Sequence, residues 1–189
     1  MTQKRLVVGI SGSSGIILGV RLLEVLRSLE VETHLVLSRA ARITLALETT
    51  WSVAAVEALA TVVHEPENLA APIASGSFYT SGMVILPCSI KTLSAVANSY
   101  AADLMARAAD VTLKEGRILL LGVRETPLHL GHLRLMAQAA EAGAVIFPPL
   151  PAYYTHSESV AEQVDNIVGR ILARMGIANK LYGVWGGNE

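Results

Sequence analysis

The stretch LVVGISGSSGIIL, residues 6–18, constrains this chain more than any other. An apolar run passes through a short turn of Gly and Ser into the start of an amphipathic segment. That pattern is a buried first strand feeding a tight turn, whose backbone N–H groups at a helix start face an anion. Gly9, Gly12 and Gly15 are spaced three apart, which matches neither the dinucleotide fingerprint G-x-G-x-x-G nor a phosphate loop ending in Lys-Ser/Thr. The turn is therefore read as holding one phosphate rather than a pyrophosphate. A second strand over 32–37 ends in Ser38-Arg39, where a nicotinamide-binding domain places an acid on the ribose diol. The missing acid points from NAD toward a mononucleotide such as FMN. A plain strand-to-helix connection uses the same glycines, so the rest of the chain has to decide.

Beyond this turn, strands over 5–11, 32–37, 61–64, 83–86, 118–123 and 144–147 alternate with helices over 14–29, 39–47, 52–60, 90–96, 101–115, 132–142 and 160–175. Ser38, Ser52 and Ser89 are placed as helix caps, and Ser159 with Glu162 forms a capping box. Residues 65–78, with two prolines and a Ser-Gly-Ser run, read as an irregular loop. Alternation of this kind gives an α/β fold, a three-layer open parallel sheet with helices on both faces. Its ligands belong beyond the carboxyl ends of the strands, at the turns after Ser11, Leu86, Val123 and Phe147.

A chain of 189 residues suits one such domain, here 1–175, followed by a tail over 176–189 that has no helical period. Only 16% of residues are charged against roughly 25% in an average soluble domain, so extra surface is expected to be covered by oligomerisation, with the tail docking on a neighbouring subunit. A net charge of -1 gives no electrostatic reason to expect nucleic acid or an anionic membrane. The single Cys88, with no leader pattern and no apolar run of membrane-spanning length, points to a reducing cytoplasm.

The four turns supply Ser13, Ser14, Ser89, Lys91, Thr92, Arg124, Glu125, Tyr153 and Tyr154, with Arg107, Lys114 and Arg170 on nearby helices. Hydroxyls, N–H groups and cations together make a site for phosphate oxygens; the competing reading is that the three helix cations are merely solvated. Arg107, in an otherwise apolar stretch, calls for a specific partner. Cys88 has no His and acid spaced to activate it and reads as a small core residue. His129 and His132 lack a third metal ligand nearby and read as helix-start residues, while Asp103, Asp110 and Asp165 are too scattered for a magnesium-held diphosphate. No metal is expected. Trp185 reads as a packing anchor.

GISGSSG near the start, ASGSFYTSGMVILPCSIKTL at 74–93, RAADVTLKEGR at 107–117 and VRETPLHLGHLRLM at 123–136 together resemble the flavin prenyltransferases of the UbiX type. The resemblance implies a flavodoxin-like fold and a homo-oligomer, commonly dodecameric, with active sites between subunits. It implies transfer of a dimethylallyl group from dimethylallyl phosphate to N5 and C6 of reduced FMN, without metal. The product, prenylated FMN, serves a partner decarboxylase of the UbiD type. On this resemblance the flavin-contacting positions fall on Gly12, Ser13, Ser14, Ser38, Ser89, Ile90, Lys91, Thr92 and Arg107. The prenyl-phosphate positions fall on Lys114, Arg124, Glu125, Tyr154 and Arg170, with Glu125 and Ser14 as catalytic residues. Ser13 stands where the family usually has Ala, and the tail after Met175 matches poorly apart from Trp185. Flavin-dependent cysteine decarboxylases share the strand-turn plan but carry PASANT-like and Met-Asn-rich motifs; the matching stretches here read PIASGSF and LPCSIKT. A non-catalytic FMN carrier is a third reading, one that leaves Lys114, Arg124 and Arg170 without a task.

Overall fold

The computed structural model describes residues 4–183. Short apolar runs form the strands β1 (Arg5–Ile10), β2 (Glu32–Leu37), β3 (Val62–His64), β4 (Gly82–Cys88), β5 (Ile118–Val123) and β6 (Val145–Ile146). The connecting helices are α1 (Ile16–Ser28), α2 (Arg39–Glu48), α3 (Val53–Glu57), α4 (Ile90–Ala97), α5 (Leu104–Lys114), α6 (Leu130–Glu141) and α7 (Val160–Arg174). The strands pair in parallel in the order β3-β2-β1-β4-β5-β6. Without the edge strand β3 this is the flavodoxin order. The chain reverses direction across the sheet between β1 and β4, and sheets of this kind place their ligand crevice at that point, beyond the strands' carboxyl ends.

Alternate residues of each strand face opposite layers. Leu6, Val8 and Ile10 pack with Leu23 and Leu26 of α1 and Val168 and Ile171 of α7; Val7, Met83 and Ile85 pack under Met105 and Ala109 of α5. Both layers are apolar, so β1 and β4 are buried on both faces and read as continuous apolar runs rather than as alternations.

Several boundaries differ from the sequence expectation, each for a local reason. Gly15 adopts a left-handed conformation (φ 96°), so α1 starts at Ile16 and not at 14. Asp103 accepts from the Ala106 N–H and delays α5 to Leu104. His129 Nδ1 accepts from the Gly131 N–H and starts α6 two residues early. Strand β4 runs on through Pro87 to Cys88, with a register irregularity after Ile85 where proline cannot join the ladder. At α7, Ser159 caps Glu162 as expected, but the Glu162 carboxylate reaches the N–H of Glu158 rather than that of Ser159. The start of the tail makes contacts within the chain. Ile177 is buried, Asn179 donates to the Gly169 carbonyl at 2.9 Å, and Leu181 joins the α1–α7 core, so 176–181 pack on their own chain. Trp185 lies outside the described residues. Among those described, no helix is long and apolar enough to cross a membrane.

Candidate active site

Ser11, buried at the exit of β1, ties the two central turns together. Its N–H and hydroxyl donate to the Pro87 carbonyl at 3.2 and 2.9 Å, and its oxygen accepts from the Ser89 N–H at 2.7 Å. Ser89 in turn caps α4: its Oγ accepts from the Thr92 N–H at 3.3 Å and lies 3.1 Å from Thr92 Oγ1. From β2, the Ser38 N–H donates to the Ile10 carbonyl at 3.1 Å, and the Ser38 Oγ accepts from the Ala41 N–H at 3.1 Å. Gly12 lies so close to Ala40 that any Cβ would clash, so the first turn and the start of α2 share one wall. From β5, the Arg124 N–H donates to the Cys88 carbonyl at 3.1 Å. The crevice thus gathers Gly12, Ser13, Ser14, Ser38, Ser89, Ile90, Lys91, Thr92, Arg124 and Glu125 at one end of the sheet. Glu125 is exposed, and its Oε1 accepts from the Thr126 N–H at 2.9 Å.

The anion at the start of α1 is supplied by the chain itself. Glu48, the last residue of α2, accepts from the N–H groups of Gly15 and Ile16 at 2.9 and 3.2 Å. Burial pushes its carboxyl upward. The Ser14 hydroxyl, these two amides and the nearby Arg124 charge outweigh it and hold the carboxyl below the usual carboxylate range. The first turn therefore keeps less free N–H than its sequence promised, and the start of α4 is the more open anion seat. Glu48 was missed in the sequence, although a signal existed: an acid at a helix C-terminus opposes the dipole and needs a partner elsewhere. Ser11 was missed as well.

The structure does not bring all the expected phosphate ligands together in one chain. Helix α5 starts at the carboxyl end of the sheet, where the Leu104 N–H donates to the Pro66 carbonyl just past β3. It ends at Lys114, beside the amino ends of β4 and β5, where Gly82 pairs with Ile118. The length of β5, about 20 Å, therefore separates Lys114 from Arg124. Arg107 and Lys114 lie on one face of α5 and grip the 74–79 loop instead. Arg107 Nε donates to the Ala74 carbonyl at 3.2 Å while its Nη1 pairs with Asp110 at 2.8 Å. Lys114 pairs with Glu115 against Gly76, and Arg117 donates to the Gly76 and Phe78 carbonyls at 2.7 and 3.0 Å. Arg170 stacks over the Phe147 ring, 5.8 Å from its centroid, at the exit of β6. Tyr154 lines a separate cavity with Asn166 and Tyr182.

Cys88 is fully buried, and burial pushes its thiol up to about 12, as befits a core residue. No group of described residues could hold a metal ion. A polar ligand is nonetheless called for. The Ser13 hydroxyl is buried without a partner among the described residues, and α4 presents its first amides at the same end of the sheet.

A family profile described as Flavoprotein matches residues 1–176. The flavin prenyltransferase UbiX of Escherichia coli K12 is 59% identical over 188 residues, covering 98% of this chain and all of that one. The solved structure of AnUbiX (PadA1) in complex with FMN and dimethylallyl pyrophosphate superposes with a TM-score of 0.97 at 45% identity, over 99% of this chain and 100% of that one. A dodecameric FMN-dependent UbiX-like decarboxylase from Escherichia coli O157:H7 superposes with a TM-score of 0.94 at 46% identity, over 97% and 100%. This chain belongs to the UbiX-type flavin prenyltransferase family of flavoproteins.

Proposed function

We propose that this protein transfers the dimethylallyl group of dimethylallyl phosphate to N5 and C6 of reduced FMN, releasing phosphate and prenylated FMN for a UbiD-type decarboxylase. One observation supports the reading most directly: the exits of β1, β2, β4 and β5 converge on one crevice that holds hydroxyls, open helix-start amides, a cation and two carboxylates. Reduced FMN, when bound, supplies the nucleophilic centres. The chain's own residues bind, orient and move protons. The start of α4, with Ser89, Ile90, Lys91 and Thr92, holds the flavin phosphate on its N–H groups and dipole. Gly12, Ser13 and Ser38 wall the flavin.

Arg124 draws off the leaving phosphate, and its charge replaces a metal. Glu125 relays the proton that the ring-closing carbon must lose. Ser14, hydrogen-bonded to the ionised Glu48, holds the N5 edge in the same pocket. Because Lys114 sits at the opposite end of its own sheet, we assign the amino edge of a second copy, with Lys114 and the 74–79 loop, to the other side of the phosphate. Arg107 enters with that edge, and the homo-oligomer, a dodecamer as in the Escherichia coli relative, is what completes the site. Tyr154 and Arg170 approach it from the exit of β6. The enzyme works in the cytoplasm.

The test is the mass and absorbance of flavin released after incubation with reduced FMN and dimethylallyl phosphate, with the pyrophosphate as a parallel donor. A gain of one five-carbon unit with chelator present is expected. Unmodified flavin with both donors would overturn the assignment, and activity lost to chelator and restored by magnesium would overturn its metal-free form.

A further inference from the structure

In the layer under α5, two buried histidines lie in one hydrogen-bonded chain that begins at the amino end of β2 with Glu32 and reaches the end of β3 at His64. Register places Val62 beside His34 and His64 beside Val36, so both rings point into the layer under α5. His34 Nδ1 lies 2.9 Å from His64 Nε2, and His34 Nε2 lies 3.0 Å from Glu32 Oε1. The rings stack with centroids 5.1 Å apart and planes 16° off parallel. Arg5 Nε donates to the same Glu32 oxygen at 2.6 Å. Phe78 closes the cluster, its ring edge-on to His34 at 5.1 Å and under the Arg5 guanidinium at 4.4 Å.

The hydrogen bonds dictate the protons. A carboxylate only accepts, so His34 Nε2 carries hydrogen and its Nδ1 is bare in the neutral ring. His64 Nε2 must then donate to it. One added proton is absorbed by a tautomer shift, in which His34 Nδ1–H donates to His64 Nε2 and His64 carries its hydrogen on Nδ1. A second proton puts two N–H groups face to face and stacks two cations, with Arg5 already present; the bond cannot survive it. Burial and the charge of His34 both hold His64 below the usual histidine range. The other charged groups around the cluster belong to the loop it seats: Arg117 on the Phe78 carbonyl, Arg107 with Asp110 on Ala74, and Lys114 with Glu115 at Gly76. Arg5 also holds the Tyr79 carbonyl at 3.0 Å.

We propose that Glu32, His34 and His64 are positioning residues for the 75–79 loop: through Arg5 and Phe78 they hold it in register for the neighbouring copy's phosphate site, and they release it when the histidine pair takes a second proton. The inference rests on the proposed reading that this edge completes a neighbour's site, and its first readout does not depend on turnover. The assembled protein is followed by hydrogen exchange of the peptide over 75–81 from pH 7.5 to 5, corrected for the chemical exchange rate, alongside KM for dimethylallyl phosphate. In wild type, protection is expected to fall by up to about tenfold per pH unit below the release point, with KM rising in parallel and kcat steady. His64→Gln still donates to His34 but takes no proton, and is expected to stay protected across the range. Phe78→Leu leaves both histidines and removes the ring they seat, and is expected to raise exchange already at pH 7.5. A shared pH profile in wild type and His64→Gln, no inflection in wild type, or a KM that ignores the inflection would each overturn the inference. If no prenylated flavin forms at any pH, the proposed reaction fails while the exchange profile still reads the loop.

Discussion

Two carboxylates at the crevice differ in what holds them, and their variants are expected to separate. Glu125 is exposed and, among the described residues, is tied to its own turn through the Thr126 N–H. Glu125→Gln keeps that acceptor and removes the proton relay, so FMN should bind as before while turnover falls by roughly 10²-fold or more. Stopped-flow spectra showing bound flavin and product at the wild-type rate would reduce Glu125 to a loop residue. Glu48 instead neutralises the start of α1, and Glu48→Gln removes charge from a helix N-terminus. The expected loss of stability at pH 7 is about 0.5 kcal/mol, the low end for a helix-end charge because the side chain is solvent-exposed. Its native carboxyl sits below the usual range, so the stabilisation is complete above the unfolded value and is lost as pH falls through the folded one. Urea titrations of the two proteins should therefore differ at pH 7 and converge in acid. A difference that persists at pH 3 would show that charge is not what Glu48 supplies.

The start of α4 carries the phosphate assignment among the helices, and Ser89 is where it is most exposed to test. Ser89→Asp replaces one good N-cap by another, so the helix and the melting temperature should change little. The new anion lies beside the flavin phosphate, and FMN affinity should fall at least about tenfold. Unchanged affinity in a flavin titration would move the phosphate elsewhere. This helix was legible in the sequence because strand, Ser cap and apolar stripe lie within a dozen residues, where local rules act. The same holds for β2, β5 and the caps at Ser38 and Ser52. Glu48 was legible as an acid in need of a partner, but the partner was not, since it meets Gly15 across 33 residues of chain and the packing of α2 against the first turn is what joins them. Nor was the separation of Lys114 from Arg124. The two are ten residues apart in sequence, yet a helix descending the sheet and a strand climbing it put them at opposite ends. The cap at Gly15 escaped because it has no side chain for the serine rule to find, and Asp103 was passed over as a cap, whereas His129, read as a helix-start residue, does cap α6.

That separation sets the requirement on the whole molecule. One chain presents Arg124 at one edge and Lys114 at the other, so a site using both needs two copies arranged head to tail. The surface agrees: Leu47 is 80% exposed on α2, and Leu130 is 59% and Leu133 48% exposed on α6, apolar area that a lone subunit leaves in water. Sedimentation at micromolar concentration is expected to show an oligomer, and a stable, active monomer would refute the requirement. A sharper test uses inactive partners. Lys114→Ala and Arg124→Ala should each abolish turnover in pure form, while FMN stays bound. In oligomers mixed at random from equal amounts, a site is intact only where the Arg124 side comes from a Lys114→Ala copy and the Lys114 side from an Arg124→Ala copy. That happens at about one site in four for a two-copy site, so coexpression should restore about a quarter of wild-type activity. Recovery no greater than the sum of the two parents would mean that both residues act on the same copy's substrate or that one of them does not act at all.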